Sequence, residues 1–213
     1  MTTIPLDVLT LLSGYMELDS YTCLLATCKM HWKYRNEQTL IKSIRITEGT
    51  KTSHCRNVKD IMLCDSGCFD ACDFPKLRTL NVCGHDAFFD TRGLVALTQL
   101  HAEKCNQLID LNGMSNIKQV TLFDCSMISE LGPLAGVSYV KISSCQSVIN
   151  VDALATCVDV HLQDIPIIDV SKLSSIKNSL TLMSCFRLMK GYNETLSVPF
   201  FIVKSCPLFF VGP

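Results

Sequence analysis

Apolar residues return along this chain with a period of 20. From Leu97 the pattern reads apolar-x-x-apolar-x-apolar-x-x-Cys. Leu97, Leu100, Ala102 and Cys105 are followed by Ile117, Val120, Leu122 and Cys125, then by Val137, Val140, Ile142 and Cys145. Three further columns fall at positions 12, 15 and 18 of each unit: Leu108, Leu111 and Met114, then Ile128, Leu131 and Leu134, then Val148, Val151 and Leu154. Across 97–156 every one of these positions is apolar or Cys, while only a minority of the positions between them are apolar. A fixed period of this length means one structural unit stacked on itself.

The columns continue outward in both directions. Leu77, Leu80 and Val82 form one earlier unit, Val58, Ile61 and Leu63 another, and Ile41, Ile44 and Ile46 a first. Later units carry Cys157, Val160 and Leu162, then Leu180, Leu182 and Cys185, then Val198, Phe201, Val203 and Cys206. Positions 4 and 6 predict a short strand whose side chains point inward, with position 5 facing outward between them. The Cys column falls where the chain leaves the strand, where a small side chain fits inside a turn. A 20-residue coil has little room for a helix on its return side, so extended or single-turn segments are expected there. Gly113, Gly132, Pro133 and Gly136 agree with that.

This pattern resembles the leucine-rich repeat, with its L-x-x-L-x-L-x-x-N/C-x-L core, over residues 41–213. The resemblance implies an α/β solenoid of about nine units, with parallel strands on a concave face that serves as the ligand surface.

Residues 1–40 do not follow the repeat. Ile4-Pro5-Leu6-Asp7 suits a helix start, since Pro is favoured at the first helical position and Asp at the positive helix end. Val8, Leu9, Leu12, Tyr15 and Met16 recur at helical spacing. Asp19 and Ser20 can cap a second helix holding Tyr21, Leu24, Leu25 and Cys28, and a third run holds Met30, Trp32 and Tyr34. The segment resembles the F-box, a helical module that docks on the Skp-type adaptor of cullin–RING ubiquitin ligases. Pro5, Asp7, Val8, Leu9, Leu12, Tyr15, Met16, Tyr21, Leu24, Thr27, Cys28 and Lys29 fall in register with its pattern. Thr27 stands where the family has Val, and Trp32 lies one residue beyond its usual place, which His31 occupies. The resemblance implies a substrate-recognition subunit of a Skp–cullin–F-box ligase, with Ile4, Pro5, Leu9, Leu12 and Leu24 as adaptor contacts. The plainer alternative is a non-catalytic repeat scaffold whose N-terminal helices only cap the apolar end of the array.

Composition narrows the chemistry. The chain is 48% hydrophobic and 18% charged, with a net charge of −1. That balance argues against a nucleic-acid phosphate track, which needs clustered Lys and Arg. No apolar run reaches the ~18–20 residues that cross a bilayer, and the start lacks the features of a secretory signal. Thirteen cysteines, an odd number, without such a signal favour reduced thiols in a cytoplasmic or nuclear protein. Cys64, Cys68 and Cys72, with His54, Cys55, Cys83 and His85 nearby, offer zinc-ligand chemistry without zinc-ligand spacing, so no metal or cofactor is expected.

Catalysis finds little support. The chain has no G-x-S-x-G, Walker or H-E-x-x-H motif. Cys83 and His101 can face each other across adjacent strands, but nothing orients such a pair toward a third group. The expected activity is therefore binding of a target protein on the outward positions 2, 3, 5, 7 and 8. The candidate anchors are Phe123 and Tyr139, flanked by His101, Asp124, Lys141 and His161.

Overall fold

The computed structural model describes residues 43–46, 58–64, 74–84, 91–108, 111–188 and 197–206. Its strands are β1 (Ser43–Ile46), β2 (Asp60–Cys64), β3 (Thr79–Cys83), β4 (Gln99–Glu103), β5 (Gln119–Phe123), β6 (Tyr139–Ser143), β7 (Asp159–Gln163), β8 (Ser179–Met183) and β9 (Phe200–Lys204). They form a single sheet in chain order, each strand parallel to the next. A parallel sheet without strand exchange is what a coil wound repeatedly in one sense must produce, so the molecule is a parallel-strand solenoid. The helical module expected over residues 1–40, with its adaptor contacts Ile4, Pro5, Leu9, Leu12 and Leu24, lies outside the described residues.

The register follows the repeat. Leu100, Val120, Val140, Val160 and Leu180 are lateral neighbours, as are Ala102, Leu122, Ile142, Leu162 and Leu182. From Leu97 to Leu154 every template position is buried, none more than 8% exposed. Each column is thus an apolar ladder down the interior. One full side chain buried in such a ladder contributes about 1.5–3 kcal/mol.

Beyond Cys157 the columns shift by one residue, and the sequence pattern loses them. Ile165 takes the Cys position, and Ile167, Val170, Leu173 and Ile176 complete that coil's interior, all 3% exposed or less. The slip occurs at Pro166: Ile167, Val170, Leu173 and Ile176 each arrive one position early, and the register returns at Leu180, 20 residues after Val160.

The return side departs from the α/β expectation. Among the described residues it holds 3₁₀ turns at Gly132–Leu134, Asp152–Thr156 and Ser171–Ser175, and no α-helix. A coil of this length spends five residues on the strand and several on two turns, which leaves about one turn's worth of chain. Each 3₁₀ turn buries one leucine, namely Leu134, Leu154 and Leu173.

From β3 to β9 a left-handed residue follows the strand at position 8, Ser205 after β9 at φ 55° included. Lys104, Asp124, Ser144, Asp164 and Ser184 have φ between 50° and 57°, and Gly84 has 62°. Each amide still donates to the position-7 carbonyl of the next coil: Lys104 to Phe123 at 2.8 Å, Asp124 to Ser143 at 2.9 Å, Ser144 to Gln163 at 2.9 Å. The ladder therefore runs one residue past the strand while the chain turns inward. The following Cys side chain enters the interior. Its thiol donates to the position-6 carbonyl of the preceding coil, Cys105 to Val82 at 3.7 Å, Cys125 to Ala102 at 3.6 Å and Cys185 to Leu162 at 3.5 Å. A small donor suits this position because it satisfies a backbone acceptor without filling the turn.

Candidate interaction face

Positions 3, 5 and 7 of the strands make the outer surface of the sheet. Row 5 runs Asn81, His101, Thr121, Lys141, His161 and Thr181 as consecutive lateral neighbours. Row 3 places Tyr139 between Gln119 and Asp159, and row 7 places Phe123 between Glu103 and Ser143. Phe123 is 39% exposed and Tyr139 37%, so each ring keeps a free edge for a partner.

The predicted residues share this face but do not form one cluster. Lys141 and His161 are directly opposed on β6 and β7. His101 lies two strands away from Lys141, on β4. Phe123 and Tyr139 sit at opposite strand ends, four positions apart in register, or about 13 Å at the usual rise per residue. Asp124 is not on a strand: it is the left-handed residue after β5, at φ 53°. The Cys83–His101 pairing does not form, because Cys83 opposes Glu103 and His101 opposes Asn81. Position 7 meets position 7, and a pair two positions out of register is diagonal.

The polar groups are partly committed. Asp159 accepts from Asn178 Nδ2 and Ser179 Oγ, both at 2.6 Å, which draws its carboxylate toward β8. Glu103 lies 3.9 Å from Lys104. Gln163, two residues along from His161 on the same face, donates through Nε2 to Asp164 at 2.9 Å. Burial lowers the pKa of His161 below its ordinary 6.5, and the Lys141 ammonium lowers it further, while the Gln163 side chain opposes both.

The thiols are structural. Cys105, Cys125, Cys145, Cys157 and Cys185 are buried and form no disulfide, whereas Cys83 is exposed on row 7. A bond shared with Cys125, together with burial, drives the Cys145 pKa upward. Burial, aided by the Cys206 thiol, pushes Cys185 up to about 12. Cys64 and Cys83 are lateral neighbours, as their spacing predicts. His54, Cys55, Cys68, Cys72 and His85 lie outside the described residues.

The sequence reading missed the apolar ends of the face. Met62 on β2 is 45% exposed, and Phe200 and Ile202 on β9 are 64% and 47% exposed. The same arithmetic that selected Tyr139 identifies them, since Phe200 occupies row 3 and Met62 and Ile202 row 5. No helix among the described residues is long and apolar enough to cross a membrane.

No protein-family model matches this chain. No curated protein matches it either. Solved structures do. Internalin C2 from Listeria monocytogenes str. 4b F2365 is similar over 79% of this chain and 81% of its own, at 20% identity and a TM-score of 0.55. An internalin (inlF) from the same strain matches 79% of this chain and 67% of its own, at 12% identity and a TM-score of 0.46. Internalins are leucine-rich-repeat proteins, and the likeness to internalin C2 establishes the architecture of this chain as a leucine-rich-repeat solenoid.

Proposed function

We propose that this chain is a non-catalytic protein-interaction scaffold that holds a partner protein on the outer face of its sheet. The observation that carries this reading is the division of the repeat. Every inward column is consumed by packing, while the outward rows keep exposed aromatic, cationic and amide groups on a surface fixed by continuous backbone pairing. Nine strands at ~4.8 Å spacing give a face about 40 Å long, large enough for a folded protein or an extended segment. Affinity capture tests it. Phe123→Ala with Tyr139→Ala should leave the melting temperature unchanged and lose the captured partner. Unchanged capture would move the binding surface elsewhere.

A second reading adds a tether. The register of Pro5, Leu9, Leu12 and Leu24 with the F-box pattern supports docking on a Skp-type adaptor, with the repeat face presenting a substrate to a ubiquitin ligase. Rate enhancement would then come from proximity alone. Pull-down with the adaptor separates the two readings. Wild type should bind and Pro5→Ala with Leu9→Ala should not, while the repeat stays folded. Absence of wild-type binding leaves the scaffold reading alone.

A further inference from the structure

The centre of the face carries a cation without a counter-ion. Lys141 stands at the middle of β6, half-buried, and makes no ion pair with any described residue. On β7 and just past it, Asp159 is engaged by Asn178 and Ser179 and Asp164 by Gln163, while Asp124 lies past the end of β5, three positions along from the Lys141 row. Its direct neighbours in row 5 are Thr121 and His161. Leaving an ammonium half-buried and unpaired has a desolvation cost that a partner's anion would recover.

An aromatic ring lies at a defined distance on each side, Tyr139 in row 3 and Phe123 in row 7. Alternate residues of a strand are about 6.6 Å apart. Tyr139 precedes Lys141 by that step and Ser143 follows it by the same step. Ser143 is only 3% exposed and opposes Phe123 across the sheet, so the surface offered at that step is the Phe123 ring, 39% exposed. An extended chain repeats its side chains with the same spacing.

Resting on the scaffold reading above, we propose that the partner is recognised through an extended acidic segment of the form apolar-x-acid-x-apolar. Its carboxylate pairs with Lys141 beside His161. One apolar residue packs on Tyr139, and the other on the Phe123 ring beside Ser143.

The test is selection of random linear displayed peptides on the immobilised full chain, followed by binding of the enriched peptides to variants. The expected pool has an Asp or Glu with apolar residues two positions away on each side. Binding of these peptides should fall at least tenfold in Lys141→Met and in Lys141→Glu, and should weaken with added salt. Circular dichroism and melting would verify that both variants fold; Lys141→Met retains the aliphatic stem. Binding should also tighten between neutral and mildly acid pH as His161 gains its proton, and His161→Gln should remove that dependence. The groups facing His161 are Lys141 on β6 and Asp159 and Gln163 on its own strand, with uncharged Thr181 on β8. Enriched peptides without the central acid, equal binding to the Lys141 variants, or no enrichment at all would each overturn the proposal. Peptides that lack the acid yet are lost with Phe123→Ala and Tyr139→Ala would leave the scaffold reading standing. Peptides indifferent to every variant would remove both.

Discussion

At the scale of the residue, neighbours in sequence have opposite roles. Leu122 is wholly buried, and Thr121 before it is half-exposed on row 5. Leu122→Ala should therefore cost ~2–5 kcal/mol, and Thr121→Ala under about 0.5 kcal/mol. Urea melts of the two variants check the register, and equal costs would shift it by one residue. His161 gives a second prediction. Its pKa is lowered first by burial and then by Lys141, so an NMR titration should find its midpoint below 6.5. Lys141→Met should raise that midpoint without fully restoring it, because burial remains. The folded state binds this proton less readily than the unfolded chain does. This residue's contribution to stability is therefore complete above the ordinary histidine range and is lost as the pH falls through the lowered value. Position 5 was legible as outward from alternation alone. The bond from Gln163 to Asp164, and the engagement of Asp159 by Asn178 and Ser179, depend on rotamers and lay beyond any pattern.

At the scale of the element, strands were more legible than turns. Two apolar residues flanking one polar residue fix a strand's inward face, so β2 to β9 fall where alternation puts them. The left-handed residue at position 8 was not foreseen, although Gly84, Asp124, Ser144, Asp164 and Ser184 are residue types that tolerate or favour turns. Lys104 hid the column, because lysine carries no such preference. Glycine on the return side reads in two ways that only the structure separates. Gly113 has φ +91°, and a Cβ there would lie 2.8 Å from Arg92 Cα of the preceding coil. Gly132, in a 3₁₀ turn, has open space around it. Gly113→Ala should thus destabilise by more than about 1 kcal/mol, while Gly132→Ala should be neutral or stabilising by up to ~1 kcal/mol. Thermal melts of the pair measure the difference, and a neutral Gly113→Ala would mean that the coils stack less closely than described. The slip at Pro166 has a similar lesson: a period search loses a return side whose apolar residues are all present but displaced by one position.

At the scale of the whole molecule, the period is the fold. Each coil buries its columns only against its neighbours, so the interior is continuous from Val58 to Val198 and no single coil has a core of its own. That dependence leaves the outer rows free of packing duties and available to a partner. The cysteines sample this division along the array. Cys105, Cys125, Cys145, Cys157 and Cys185 lie in the interior, Cys206 is partly covered, and Cys83 is on the outer face. The most direct test of the account is therefore the alkylation rate of each thiol in the native protein, read by mass spectrometry. Cys83 should react promptly, Cys206 more slowly, and the five interior thiols only as the protein unfolds, all of them as free thiols. Interior thiols that react as fast as Cys83, or disulfides joining adjacent members of the column, would contradict the stacked interior on which every other inference depends.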